Sequence, residues 1–442
     1  MGGYLGVASF SLQARLAGVK VVGYHPGTPN GRNLMRLRIV ATLLLTLFAG
    51  RALAQTADVS AERLQKDVEW LADDARQGRR PMSDGWRASG EYVESAFREA
   101  GLEAAGDDDG YFQRATDELG SKEGRNVVGI LRAPGGAAKE HVVIMAHYDH
   151  LGVHPETGEV FNGADDNGSG TAALLEIVRT MTAEGFDRSA TTRDIVFVAT
   201  DMEEQGLAGA RYYVDHPSLP IEDTAAMVCV DMLGRSVLDQ MNGHVVAIGA
   251  ERSRAIRESV DRSTRATGDL VWHLATEYVG PRSDFVPFSA RRVPYVWYTT
   301  ATHRDYHKTT DDAALVDYAS LAVHTALVRA TLVDLASVAE RPAWTGNEPD
   351  RLAEARTVSE MSGILLDRLD VLQGEGKNHL IAPQILLVRG VHALSNRLLA
   401  KGEVSDVERA ALIAASYVLV LGVVDDTPYE TMKTRLERIF GK

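Results

Sequence analysis

A chain of 442 residues is too long for one average domain and suits one large domain with an extension. With 45% hydrophobic and 24% charged residues it can bury a sizeable core. Its net charge of −14 argues against non-specific nucleic-acid binding, which needs a basic face, and its single cysteine, Cys229, excludes an internal disulfide or a cysteine-based zinc site. Cys229 lies in an apolar run and reads as a small buried hydrophobe.

Residues 1–34 have the marks of neither signal nor domain, and translation is expected to begin at Met35. From there Arg36 and Arg38 precede an apolar stretch over 39–49, followed by Ala52-Leu53-Ala54. A basic start, an apolar middle and an A-x-A site make residues 35–54 a signal peptide, with Gln55 the first mature residue. The expected location is periplasmic or extracellular. The apolar run is too short for an ordinary membrane span, so no membrane attachment is expected after cleavage.

Over 59–110 the pattern is helical. Leu64, Val68 and Leu71 form one stripe and Tyr92, Phe97 and Leu102 another, with 77–85 as a polar loop between them. Short β-branched runs then appear at 126–131, 142–146, 195–199, 227–230 and 293–299. Longer helical patterns lie among them, notably 171–181 and 252–267. Such alternation predicts an α/β sheet with helices on both faces and a working site beyond the carboxyl ends of the strands.

From about residue 341 the strands stop. Leu352, Ala355, Val358, Met361, Leu365, Leu369 and Leu372 keep a helical stripe, Ser405-Asp-Val-Glu408 is a capping box, and Thr427-Pro-Tyr-Glu430 marks another helix start. Residues 55–340 therefore read as the main domain and 341–442 as an all-helical extension. The apolar segment 410–424 is short and broken by Ser416, Tyr417 and Gly422, which favours a buried helix over a membrane span. Capping the cleft, self-association and enlarging the core are all open as roles for this extension.

Acidic and histidine residues follow the predicted strands or stand at a helix start: His147 and Asp149, Asp165 and Asp166, Glu203 and Glu204, Asp231, and His307. Singly, each has an ordinary explanation, because a lone His is usually a loop residue and an Asp before a helix usually a cap. Together they fall on one edge of one sheet. Nitrogen and oxygen ligands without thiolates suit a catalytic zinc site with open positions. In an extended segment Glu203 and Glu204 would point to opposite sides, one as ligand and one toward the cavity. Asp149 can accept the other N–H of His147 and fix its tautomer. Gly168-Ser169-Gly170 is not a nucleophile elbow.

The motifs HYD (147–149), GADDNGSG (163–170), EEQGLAGARYYV (203–214), VDMLG (230–234), RSD (282–284) and DYHKTTDD (305–312) resemble, in order, those of metallopeptidase family twenty-eight. These are zinc exopeptidases related to bacterial leucyl aminopeptidase. The resemblance covers about residues 60–335. It implies a three-layer α/β/α sandwich around a mixed, largely parallel sheet, two zinc ions and a peptide substrate. By motif position His147 and Asp231 would hold one zinc, Glu204 and His307 the other, and Asp166 would bridge them, with Asp165 a structural neighbour. Glu203 would be the general base, acting on a water shared by ions about 3.5–4 Å apart. Three carboxylates and two neutral imidazoles leave two zinc ions with one positive charge, which a hydroxide would neutralise.

Phe285 stands where many members of that family have histidine, so subfamily specificity does not carry over. Tyr278, Phe285 and Tyr306 are candidate pocket walls or ordinary packing. His150, His154 and His303 read as loop residues rather than ligands. Two other readings compete with an aminopeptidase: a glutaminyl cyclase-like acyltransferase with one zinc, and a non-catalytic binding protein. Metal stoichiometry separates the first, and the retention of every ligand and of Glu203 argues against the second.

Overall fold

The computed structural model describes residues 59–424, apart from 118–119, 121–122, 239 and 369–381. The expected signal peptide and the helix start at Thr427 lie outside the described residues.

Strands in chain order are β1 (Glu103–Ala104), β2 (Phe112–Thr116), β3 (Glu123–Leu131), β4 (His141–His147), β5 (Gly152–Val153), β6 (Val160–Phe161), β7 (Asp194–Thr200), β8 (Thr224–Val230), β9 (His244–Ile248), β10 (Leu270–Leu274) and β11 (Tyr295–Thr299). Helices are α1 (Ala61–Leu71), α2 (Asp84–Glu99), α3 (Gly170–Thr182), α4 (Ala208–Asp215), α5 (Arg254–Thr267), α6 (Phe285–Ala290), α7 (Tyr318–Ser337), α8 (Arg351–Asp367), α9 (Ala382–Lys401) and α10 (Asp406–Val424). The main sheet runs β1-β3-β7-β4-β8-β11-β9-β10, with β2 beside β3, and β5 pairs β6 separately. Its centre, β7-β4-β8-β11, is parallel, while β3 joins β7 and β9 joins β11 antiparallel. The mixed, largely parallel sheet expected from the sequence is present, and the carboxyl ends of its four central strands share one edge.

Alternation along β4 shows how the layers form. Val142, Ile144 and Ala146 pack with Leu64 and Val68 of α1, Leu174 and Ile177 of α3 and Leu327 of α7. Val143 and Met145 point the other way, into a second core that includes Tyr213 of α4, Phe288 of α6, Val358 and Leu365 of α8 and Val391 of α9. A period of two thus assigns each residue to one face. Strands buried on both faces lose the polar half of that alternation, which is why their sequences are continuous apolar runs.

The described elements of the extension are all helices, and they enlarge this second core. Its predicted capping box exists: Glu408 N donates to Ser405 Oγ at 3.3 Å, and Ser405 N donates to Glu408 Oε2 at 2.9 Å. In α10, Leu412 and Ile413 are buried, in keeping with a packed helix.

Two expectations need correction. The strands at 112–116, 244–248 and 270–274 gave too short an apolar signal to be expected. The segment 77–85 is not a plain polar loop: the turn Asp74–Arg79 ends on a fully buried arginine. Arg79 Nε donates to Tyr148 O (2.8 Å), Nη1 to Leu71 O (2.8 Å) and Asn162 O (2.6 Å), and Nη2 to Gly163 O (2.8 Å). One guanidinium thus ties α1 to the loops that follow β4 and β6. Burial lowers its pKa to about 10, still leaving it charged at neutral pH.

Arg79→Met would take a donor from four buried carbonyls, of which Gly163 O keeps a second donor in Gly168 N, and it is expected to lower stability by at least about 3 kcal/mol in chemical denaturation. A loss below about 1 kcal/mol would contradict this role. His141 offers a second test. It is buried at the start of β4 with Nε2 2.8 Å from Thr224 Oγ1, and burial lowers its pKa to about 4. The unfolded chain then takes up a proton between about pH 6.5 and 4 that the folded chain refuses, so stability falls as pH falls through that window, by up to about 3 kcal/mol. Denaturation curves of His141→Gln should lack this part of the pH dependence; identical pH profiles would refute it.

Candidate active site

Each central strand delivers one chemical group to the shared edge. β4 ends in His147, β7 leads into 201–204, and β8 is followed by Asp231. The irregular segment 164–169 before α3 carries Asp166, and the loop after β11 carries His307.

Within the site, His147 Nε2 lies 3.4 Å from Asp166 Oδ1 and 3.5 Å from Asp231 Oδ1. His307 Nε2 lies 3.1 Å from Asp166 Oδ2 and 3.2 Å from Glu204 Oε2. The two oxygens of Asp166 therefore face different partners. Ligand-type atoms gather in two groups, His147 with Glu203 and Asp231, and His150 with Asp166 and Glu204, each within 4.8 Å. All five residues expected as ligands come together, and Asp166 rather than Asp165 stands between the groups.

Hydrogen bonding does not account for this convergence. Asp166 Oδ2, Glu204 Oε1, Asp231 Oδ1 and both ring nitrogens of His150 are buried without a hydrogen-bond partner. His150 Nδ1 is only 2.9 Å from Glu204 Oε1, yet the pair is not aligned for donation. Such atoms aim at a shared point rather than at each other, as ligands of a cation do. The donor set suits zinc.

Burial and crowding set the protonation. Burial raises the pKa of Glu203 well above the ordinary range, and Asp231, Asp284 and Glu204 add to that rise. Burial alone would favour a neutral Asp166, but His147, His307 and His150 outweigh it and hold its carboxyl low. Burial likewise opposes charge on His147 and His307. Their carboxylate neighbours prevail, raising His147 well above its usual value and His307 to about 10.

A second set of side chains fixes these groups. Asp149 Oδ1 accepts from Glu203 N at 3.1 Å and Oδ2 from Glu204 N at 3.4 Å. Its carboxylate is 3.5 Å from His147 Nδ1, whereas its backbone carbonyl is at 3.3 Å. Asp149 thus orients the Glu203-Glu204 backbone as well as the imidazole. Asp165 faces away from the ligands: Oδ1 accepts from Gly234 N (2.6 Å) and Ser169 Oγ (2.7 Å), and Oδ2 lies 3.3 Å from His303 Nε2. Asp311 Oδ2 accepts from the backbone of both Asp165 and Asp166, at 3.0 and 3.1 Å. Asp201 receives Arg125 N and Trp86 Nε1, both at 2.7 Å, and holds the turn after β7.

Some sequence expectations change here. Glu203 and Glu204 separate through a turn in which Met202 has φ +54°, not through an extended alternation. Met232, Ser283, Ala301 and His307 also adopt positive φ around the site, the kind of backbone strain that gathers at functional sites. His150 is no ordinary loop residue, since it is buried against Glu204 and Asp166. Its only sequence signal was its place beside Asp149. Gly163 (φ +54°) admits that ring, because a Cβ there would stand 2.5 Å from it. His303 acts on Asp165, as a loop residue that is not a ligand. Phe285 does not line the cavity; it is buried and stacks on Tyr295 and Trp297 at 4.7 and 5.4 Å.

A cavity of about 680 Å³ opens onto Asp166, Glu203, Asp231 and His307, and Tyr278 and Tyr306 line it. That volume suits a small organic ligand or short peptide.

Comparison with known proteins agrees with this geometry. Residues 126–332, which contain every converging ligand, match the model for Peptidase family M28. Aminopeptidase YwaD of Bacillus subtilis is 30% identical over 165 residues, which are 37% of this chain and 33% of that protein. BOS complex subunit NCLN of Canis lupus familiaris is 25% identical over 260 residues, 55% of this chain and 45% of that protein. The chain thus spans a third to under a half of these curated relatives. Among solved structures, the Legionella pneumophila LapA aminopeptidase has the same fold, with a TM-score of 0.52 at 19% identity over 66% of this chain and 76% of that one. Residues 126–332 therefore form a Peptidase family M28 domain.

Proposed function

We propose that this chain is an exported, dinuclear zinc exopeptidase, an aminopeptidase that removes N-terminal residues from peptides. The observation that carries this reading is Asp166, whose Oδ1 faces His147 and whose Oδ2 faces His307. His147 and Asp231 would hold one ion, Glu204 and His307 the other, and Asp166 both, with His150 near the second. Bound there, the ions would supply Lewis-acid activation of water and of the scissile carbonyl.

The chain's own residues supply proton transfer and position. Glu203 borders the cavity, and burial raises its proton affinity, which suits a group that takes a proton from water and delivers it to the leaving amine. Asp149 fixes Glu203 through its backbone N–H. The acidic end of the cavity suits the ammonium of a peptide N-terminus, and the name of the Bacillus relative supports the same direction of attack. Two groups of ligand atoms favour this reading over a one-zinc cyclase, and an intact Glu203 favours it over a binding protein.

Protein beginning at Gln55 is expected to hydrolyse amino-acid p-nitroanilides with zinc and to lose that activity with chelator. Glu203→Ala should reduce kcat by at least about a hundredfold while zinc remains bound. Full activity in that variant would remove the assigned base. Silence with a single zinc bound would redirect the reading to cyclisation of N-terminal glutamine.

Zinc binding has its own pH signature. In the cation-free protein His147 and His307 carry raised pKa values and are protonated at pH 7, whereas ligation requires the neutral ring. Calorimetry in buffers of different ionisation enthalpy should detect release of about two protons, and zinc affinity should rise steeply from pH 6 to 7.5. Absence of proton release would exclude this ligand pair.

A further inference from the structure

The backbone around His150 is built to hold its ring in place. Gly163 faces that ring in a left-handed conformation (φ +54°), and a Cβ there would stand 2.5 Å from His150 Cδ2 and 2.6 Å from Cγ. Arg79 grips the chain on both sides: its carbonyl accepts from His150 N at 3.3 Å, and its Nη2 donates to Gly163 O at 2.8 Å. The His150 side chain is wholly buried in this cradle, whereas that of His307 is 37% exposed.

The cradle aims Nδ1 at two carboxylates. Nδ1 lies 2.9 Å from Glu204 Oε1 and 3.9 Å from Asp166 Oδ2. The same carboxylates face His307, whose Nε2 lies 3.2 Å from Glu204 Oε2 and 3.1 Å from Asp166 Oδ2. Donor atoms that share a tetrahedral zinc ion at about 2.1 Å stand about 3.4 Å from one another. The four separations lie on either side of that value. A hydrogen bond is the ordinary alternative, yet among the described residues neither His150 nitrogen, nor Glu204 Oε1, nor Asp166 Oδ2 makes one. A neutral imidazole can keep its proton on Nε2 and present the lone pair of Nδ1 as a ligand.

We propose that His150 is a sixth metal ligand and that it makes the two sites unlike: Asp166, Glu204, His307 and His150 close one, while His147, Asp231 and Asp166 leave the other open. This rests on the dinuclear reading above. Four protein ligands are the mark of a structural zinc site, and three with an open position the mark of a catalytic one. Glu203 falls on the open side, where its carboxylate, His147 and Asp231 offer atoms within 4.8 Å of one another. The base and the open position therefore belong together. A neutral fourth ligand adds affinity without adding charge, and a third imidazole favours zinc, cobalt or nickel over magnesium or manganese. The closed site is expected to fill first and to empty last.

The test uses the full-length mature protein, stripped of metal and reloaded with zinc. X-ray absorption should count three imidazoles per pair of ions in the natural protein and two in His150→Ala and His150→Asn. Asparagine keeps an N–H where Nδ1 stands but supplies no imidazole, so it separates ligation from hydrogen bonding to Glu204. Melting curves would confirm that each variant folds. In zinc titrations, both variants should weaken the tighter ion by at least about a hundredfold, the upper end of what loss of an outer hydrogen bond costs. Two ions with two imidazoles between them, and affinities unmoved in both variants, would overturn the sixth ligand and leave the dinuclear reading standing. A loss in His150→Ala that His150→Asn restores would overturn it as well, making His150 a hydrogen-bond donor. A single zinc ion weakened as strongly by both variants would uphold the ligand and sink the dinuclear reading.

Discussion

The structure depends on a concentration of negative charge that the chain alone does not neutralise. Asp166, Glu203, Glu204 and Asp231 converge at one sheet edge, the two aspartates buried and the two glutamates half-buried, with Asp149 and Asp284 close behind. Two carboxylates about 4 Å apart repel by about 4 kcal/mol at an effective dielectric constant of about 20. Without a cation the protein answers by holding protons: Glu203 is raised, Asp284 sits at about 7, and His147 and His307 stay charged. Cations in place of those protons would relieve the same repulsion while keeping positions for substrate and water.

So costly an arrangement persists only where its surroundings hold it. Asp149, Asp201 and Asp311 each accept backbone N–H groups of the loops that bear ligands, Asp201 from Met202 N, and Asn126 Oδ1 accepts from Asp201 N at 3.1 Å. Arg79 adds one buried positive charge, spent on four carbonyls. The acidic residues around the site therefore divide by task. Some aim at a common point, and others hold the backbone that aims them.

Much of this was legible in the sequence, and the reasons are physical. Apolar runs ending in His147, before Glu203-Glu204 and before Asp231 marked buried parallel strands and one edge. The separate roles of Asp165 and Asp166 followed motif position, and the hydrogen bonds of Asp165 give the cause. What stayed hidden was long-range or local in ways that periodicity does not record. His150 joins the site because a left-handed Gly163 makes room for its ring. Glu203 and Glu204 diverge through a positive-φ turn. Arg79 looked like loop polarity until its carbonyl partners, up to 84 residues away, were seen. The extension gave a plain helical stripe, and nothing in that stripe could say that some of its residues would line the cavity.

On the proposed reading Asp166 is shared between two zinc ions. Its most direct test is a zinc titration, with metal content after dialysis, of the natural protein and of Asp166→Asn. Two equivalents per chain in the natural protein, with both weakened together by Asp166→Asn, is the predicted result. One equivalent, or two of which Asp166→Asn disturbs only one, would contradict it.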